Sequence, residues 1–367
     1  MTHLIDLLRN GASFVLVLGT LVFVHELGHY LAARWRGIYV EAFSIGFGPA
    51  IASWQDRRGT VWKLSILPLG GYVKLHGQER PEDVSPEVRA AWIPGQTFHE
   101  KSVGSRAIVV AAGPAANFVL SMVLFAALFL SVGRPVAVPV VGTLVEGGAA
   151  AKAGLLAGDR IQTIDGAEIV KFDDIRRIVS VSPGKTLQVM FAREGQVQTL
   201  PVVVGTDMDG KTGLLGVRSG SVEFQHVGPL QAVTGGVQQT WDVTVATLQG
   251  LGHMLSGKGS ADELSGPLGI AQLSGKVAQD GLPTLISFIA VLSVNLGLIN
   301  LFPVPVLDGG HLMFYAAEAL RRRPLPTRVL EYGFRAGFAL LAALFVFATW
   351  NDLTHMGLFR WVAGLIG

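Results

Sequence analysis

The chain has no cysteine, so disulfides and thiolate metal sites are both excluded. It is also short of charge. Asp, Glu, Lys and Arg make up 15% of the 367 residues and apolar types 50%, whereas a soluble domain carries about 25% charged residues. Mean hydropathy is +0.46. So little charge cannot cover a surface of this size against water, and the composition points to a membrane protein. A net charge of +2 is too close to neutral to suggest a nucleic-acid partner.

The apolar residues are concentrated in four stretches, 1–36, 106–132, 283–310 and 333–351. Each can supply the roughly 20 residues that cross a bilayer core as a helix. The first has Arg9 and an apolar run but no small-residue cleavage site ahead of its histidines, so it reads as a retained span and not a signal peptide. Arg34, Arg36, Arg57 and Arg58 follow the first span, and Lys101 and Arg106 precede the second or open it. Arg321, Arg322, Arg323 and Arg328 separate the third from the fourth. Lysine and arginine favour the cytoplasmic side, so 37–105 and 311–332 are expected there. The N-terminus, the long segment between spans two and three, and the tail 352–367 are then extracytoplasmic.

Residues 133–205 differ in character. Short β-branched runs alternate with period two between glycines, which predicts strands. The stretch AKAGLLAGDRIQTIDG, 151–166, resembles the core signature of PDZ domains: a short helix, a Gly-Asp turn, then a strand into an Asp-Gly turn. The resemblance implies a module that binds extended peptide by adding a strand to a sheet edge, or that filters substrates. In 206–282, Leu230, Val233, Val237, Trp241, Val245, Leu248, Leu251 and Leu255 recur at three- and four-residue steps. That amphipathic helix fits the outer membrane interface or the face of the PDZ-like domain. The Gly/Ser-rich stretch 264–275 reads as a loop leading to the third span.

HELGH, residues 25–29, places three ionisable groups at the end of an apolar run, where charge is costly. On a helix, residues four apart share a face, so His25 and His29 can hold one metal ion together. Glu26 lies beside the first ligand, placed to take a proton from water. This is the H-E-x-x-H arrangement of a zinc site with a general base. A pair of interfacial histidines with a snorkelled glutamate is the plain alternative, and it leaves the apolar context unexplained. A catalytic zinc has three protein ligands and one open position. Asp308, at the end of the third span, is the best candidate for the third, with His311 competing three residues on. Spans one and three run in the same direction, which brings His25, His29 and Asp308 to the same side. Pro303 and Pro305 break the helix beside Asp308, and the polar groups they free can face a substrate.

HELGH together with NLFPVPVLDGG, 300–310, resembles the site-2 protease family of intramembrane zinc metalloproteases, in its bacterial regulator of sigma-E protease branch. FSIGFGP at 43–49, LPLGGYVKLHG at 67–77 and AAGPAANF at 111–118 extend the likeness over nearly the whole chain. The resemblance implies one catalytic zinc held by His25, His29 and Asp308, with Glu26 as base and Asn300 near the scissile bond, holding substrate or an oxyanion. It implies a multi-pass protein of the bacterial inner membrane that cuts single-span membrane proteins. Anti-sigma factors of the envelope stress response and remnant signal peptides are the substrate classes. The best-known member of that branch has two PDZ domains in tandem. Here there is room for one, so a filter built from a pair is not implied.

A transmembrane helix must be unwound before it is cut, and its amides then need new partners. Residues 60–75 suggest a hairpin turning at 68–71, with Leu69, Gly70, Gly71 and Tyr72 offering an edge to a substrate strand. By analogy with the family this region is membrane-associated; a hairpin that only packs against the protein is the alternative. Asn117 either orients a zinc ligand or makes a polar contact between helices. His76, His99, His226, His253 and His355 are scattered and read as surface or packed groups. The expected fold is thus four transmembrane helices with an inserted PDZ-like β-rich domain and a membrane-associated β-hairpin region. Two other functions compete. A metal-ion transporter would also bury His and Asp, but spans two and four carry no polar route across. A non-catalytic PDZ scaffold would have no need of Glu26.

Overall fold

The computed structural model describes residues 2–79, 84–207, 210–257 and 266–355. Contacts divide the chain into two units, one made of 1–128 with 233–367 and the other of 129–232.

The first unit opens with α1 (Thr2–Trp35), apolar and long enough over Leu8–Trp35 to cross a membrane. Gly37 ends it in the left-handed region at φ 68, where the N–H groups of Gly37 and Ile38 close on the Arg34 and Ala33 carbonyls. Strands β1 (Val40–Gln55) and β2 (Val61–Leu75) follow. Their turn lies at 56–60 and not at 68–71, where LPLGG suggests one. The Asp56 side chain decides this: Oδ1 accepts from Arg58 and Thr60 N–H at 2.8 and 3.0 Å, and Gly59 takes φ 86. Residues 68–71 bend β2 instead, with Gly70 at φ 129. The bend lets β2 meet β1 more than once. Residues 61–64 and 71–75 flank β1 residues 42–45 on either side, the first run parallel and the second antiparallel, while 50–55 pairs with 61–65. The layer order is therefore 50–55, 61–65, 42–45, 71–75. Phe43 pins it to α1, fully buried, its ring 4.4 Å from Trp62 and 5.8 Å from Phe23. A short α2 (Pro86–Ala90) leads to α3 (Val103–Ser131), the second helix able to cross a membrane.

The second unit is β-rich. It runs β3 (Arg134–Ala137), β4 (Val141–Leu144), α4 (Ala149–Ala153), β5 (Arg160–Ile164), β6 (Ala167–Glu168), α5 (Phe172–Ser180), β7 (Thr186–Arg193) and β8 (Gln196–Val203). It closes with β9 (Gly205–Thr206), β10 (Gly213–Leu214), β11 (Val217–Ser219) and β12 (Val222–Gln225). The order behind the PDZ-like reading is present: α4, Gly154 in the left-handed region at φ 90, Asp159, then β5 into the turn at Asp165 and Gly166. A four-stranded sheet β6-β5-β7-β8 carries the core, with Ile161, Val189, Phe191 and Val202 fully buried. Strands β11 and β12 pair back onto β4 and β3, so the unit continues past residue 205. Those late strands are too short to show an alternation in sequence.

The chain then forms α6 (Pro229–Leu255), α7 (Pro267–Gln279), α8 (Leu282–Asn300), α9 (Asp308–Arg321) and α10 (Thr327–His355); α8 and α10 are the third and fourth helices able to cross a membrane. From residue 233, α6 belongs to the first unit and lies on α3 and α8. A Cβ on Gly236 would come within 2.6 Å of the Met122 carbonyl, the Ser121 and Thr240 hydroxyls meet at 3.2 Å, and Thr247 donates to Asn295 at 2.9 Å. Small and hydroxylated residues choose this seat, while Leu230, Val233, Val237 and Trp241 stay exposed.

The expected loop at 264–275 is largely helix α7. Pro267 stands in its first turn, and the buried Asp352 of α10 caps it from outside, accepting from Gly266 and Gly269 N–H at 2.8 and 2.9 Å. Gly275 makes room for the Asn10 amide of α1. Helix α8 stops at Asn300, short of Asp308, because Pro303 and Pro305 cannot continue it; Asp308 begins a new helix in what was expected to be the end of span three and a loop.

In the second unit, Arg193 grips Asp159 with Nε and Nη2, both at 2.7 Å, and Leu156 N–H adds 2.8 Å. Burial alone would raise the Asp159 carboxyl, but these donors outweigh it and hold it below its ordinary value. A lowered folded-state value means stability that is complete above about pH 4 and lost as pH falls further. Hydrogen-exchange protection of β5 and β7, corrected for intrinsic rates, should therefore weaken below about pH 4. Asp159→Asn should lower protection at neutral pH and flatten that acid decline; an unchanged decline would assign it to other groups.

Candidate metal centre

Helix α1 puts His25 and His29 one turn apart on a single face, with ring centroids 4.8 Å apart. Their Nε2 atoms are 3.2 Å from each other, and Asp308 Oδ2 lies 3.2 Å from the first and 3.6 Å from the second. Donors around one zinc in a tetrahedron, at ~2.0–2.1 Å from it, stand about 3.3 Å apart. The three atoms already have that spacing.

Helix α3 sets the chemistry of both imidazoles. His29 Nδ1 lies 2.9 Å from the Val109 carbonyl. A carbonyl only accepts, so Nδ1 carries the proton and Nε2 of the neutral ring presents its lone pair to the site. His25 Nδ1 lies 3.2 Å from the amide nitrogen of Asn117, whose own Oδ1 is buried without a partner. A half-turn of that amide repairs both faults: Oδ1 then accepts from Nδ1–H and frees His25 Nε2. Asp308 Oδ2 is likewise buried and accepts no hydrogen bond. Two bare nitrogens and a carboxylate oxygen facing one another are a donor set that needs a cation, and the residues present fit zinc.

Glycines permit the approach. A Cβ on Gly113 would overlap the His29 ring, and one on Gly28 would overlap the Ala112 carbonyl and lie 2.8 Å from Ala116 Cβ. Helices α1 and α3 therefore touch backbone to backbone at the site. Helix α8 joins the same stretch of α3: Ser293 Oγ donates to the Asn117 carbonyl at 2.8 Å, and Gly297 faces the Pro114 carbonyl. Asn117 thus makes both contacts foreseen for it, to a ligand and to span three.

Asp308 is held by the fold-back of 301–307. Gly309 and Gly310 press against the carbonyls of Leu301, Phe302 and Val304, where any Cβ would clash. Val306 takes φ 93, a strained value for a β-branched residue. Arg106 of α3 then ties down α9, 2.9 Å from the buried Glu318 and stacked 4.8 Å over the Tyr315 ring.

Glu26 is half-buried beside the ligands, facing β2. A Cβ on Gly71 would lie 3.0 Å from Glu26 Cγ, 2.9 Å from Val22 and 2.6 Å from the Ser44 carbonyl, so only glycine brings the strand this close. Tyr72 follows it in the outermost run of the layer, Phe47 stacking on Tyr72 at 6.3 Å, and Gly70 precedes it in the bend; the Leu69 side chain lies outside the described residues. Asn300 closes α8, half-buried, and Pro303 and Pro305 occupy the turn that follows. His311 is not part of the ligand cluster; its ring packs 5.3 Å from Phe334 and 6.4 Å from Tyr315. Of the scattered histidines, His76 is buried, with Glu41 at 2.8 Å and Ile93 N–H at 2.9 Å.

The family model for peptidase family M50 matches residues 13–344. The chain belongs to peptidase family M50. A Rhizobium meliloti (strain 1021) relative is 47% identical, covering 97% of this chain and 100% of its own. Metalloprotease MmpA of Caulobacter vibrioides is 38% identical over 96% of this chain and 97% of its own. Regulator of sigma-E protease RseP of Salmonella typhimurium is 32% identical over 96% and 100%. Among solved structures, the PDZ domain of the SdrC-like protein Lmo2051 from Listeria monocytogenes covers 22% of this M50 chain and 85% of its own, at 21% identity and a TM-score of 0.20. At that score the match carries no weight, and the description of the β-rich unit rests on its own strands.

Asn117→Ala in this M50 chain should lower zinc affinity by about 10–100-fold, measured by competition with a chelator, with the fold retained. Gly113→Ala should do the same by pushing the His29 ring. Unchanged affinity in both would show that α3 does not orient the ligands.

Proposed function

We propose that this M50 peptidase is an intramembrane zinc metalloendopeptidase in which His25, His29 and Asp308 hold the metal and Glu26 is the general base. The observation that carries the reading is the convergence of those three ligand atoms beside Glu26, with His25, Glu26 and His29 on a helix able to cross a membrane. When bound, zinc lowers the pKa of a water it holds to about 7. Glu26 takes the proton at its carboxylate and returns it to the departing amine. The run 71–75 of β2 offers its free side to an unwound substrate segment, whose amides would otherwise each lose several kcal/mol in lipid. Leu69, Gly70, Gly71 and Tyr72 supply that edge, and the close approach at Gly71 brings it to Glu26. Asn300, at the mouth of the Pro303–Pro305 turn, steadies the substrate carbonyl.

The substrates are single-span membrane proteins, with anti-sigma factors and remnant signal peptides as the classes of choice. The protein sits in the bacterial inner membrane. Its termini and PDZ-like unit are extracytoplasmic, and the metal site lies towards the cytoplasm, as the lysine and arginine distribution favours.

Glu26→Gln should lower cleavage of a model single-span substrate in detergent by about 10²–10⁴-fold while about one zinc per chain is kept, as for a base that is not a ligand. Undiminished cleavage would remove Glu26 from the mechanism, and lost zinc would make it a ligand. Orientation is open to a second test, because the chain lacks cysteine. Arg57→Cys and Lys185→Cys should be labelled by an impermeant maleimide from opposite sides of the membrane; labelling from one side would overturn the assignment.

A further inference from the structure

A cleft of about 860 Å³ opens within the second unit, a volume within the range of about 300–1,000 Å³ usual for ligand sites. One wall is a single face of α5, formed by Phe172, Ile175, Arg176 and Val179. Val217 and Arg218 of β11 also line the cleft. Successive side chains of a strand point to opposite faces, so two neighbours reach one cleft only where it runs along the edge of the strand. That edge is open: among the described residues β11 pairs with β4 alone. An unpaired edge offers its amides and carbonyls to another chain.

The charged side chains that line the cleft, among the described residues, have one sign. Lys152, Arg176 and Arg218 line it, and among the described residues no aspartate or glutamate does. All three cations are exposed, and none has an ion pair among the described residues. The floor between them is apolar. We infer that this groove docks an extended, acidic peptide segment of another protein, added as a strand to the free edge of β11 with apolar side chains against α5 and carboxylates at Lys152, Arg176 and Arg218. The inference rests on the PDZ-like reading of the unit as a peptide module and adds to it the chemical class of the ligand. Complementary charge of this kind sets partner choice and weakens with salt.

The test uses the full chain in a non-ionic detergent and three fluorescent peptides of about ten residues. Each alternates valine with glutamate, lysine or serine. The glutamate peptide should bind about tenfold more tightly than the serine peptide, the lysine peptide more weakly than either, and added salt should erase the difference. The double variant Arg176→Glu with Arg218→Glu should reverse the order and favour the lysine peptide, which also shows that the groove has kept its fold. Equal binding of all three peptides would leave the peptide module standing and overturn its acidic preference. Binding of none would overturn both. A double variant that still prefers glutamate would place the recognition elsewhere and overturn the groove.

Discussion

The contact between α1 and α3 at Gly28 and Gly113 is the constraint on which the metal centre depends. Inside a bilayer no hydrophobic drive pulls helices together, so packing and hydrogen bonds have to do it. With two glycines at the crossing, the helices meet through their backbones, and three further contacts come within reach. The Val109 carbonyl accepts from His29 Nδ1–H, Asn117 reaches His25, and the Asn117 carbonyl accepts from Ser293 of α8. Any side chain at either glycine would part the helices and loosen all of these together. The stretch GPAAN is therefore a joint between three helices and an outer shell for the ligands at once.

Much of the site could be read from residue spacing because its chemistry is local. His25 and His29 are one helical turn apart, and Asp308 stood out as a carboxylate in apolar surroundings. What escaped the sequence depends on side chains that arrive from far away. The α7 segment looks like a loop until Asp352 of α10 caps it. The LPLGG stretch looks like a turn, yet Asp56 builds the turn elsewhere and leaves those residues to bend a strand. Asn117 was half legible: its polarity was visible, but not which ring it would face. The strands that complete the second unit were invisible because each is only a few residues long.

A charge-poor chain places several of its few ions indoors. Asp159, Glu318 and Asp352 are all buried, and each is satisfied by donors from another element: Arg193 and Leu156, Arg106 and Leu325, Gly266 and Gly269. A buried carboxylate left without such donors would be strongly destabilising. These residues serve as directional ties between segments, a task that apolar packing performs poorly because it has no preferred geometry. Among the described residues, Asp308 alone of the buried carboxylate ends keeps an oxygen with no donor, which marks it as the one whose partner is not a protein group.

The three proposed metal ligands lie near opposite ends of the chain, two on α1 and one on α9. A ribosome adding about 5–20 residues per second would finish HELGH on the order of half a minute before Asp308 exists. During that interval the first helix carries only two of the three ligands. With the proposed ligand set, the centre is assembled only once residue 308 has been made and has docked, so translation itself times the onset of metal binding.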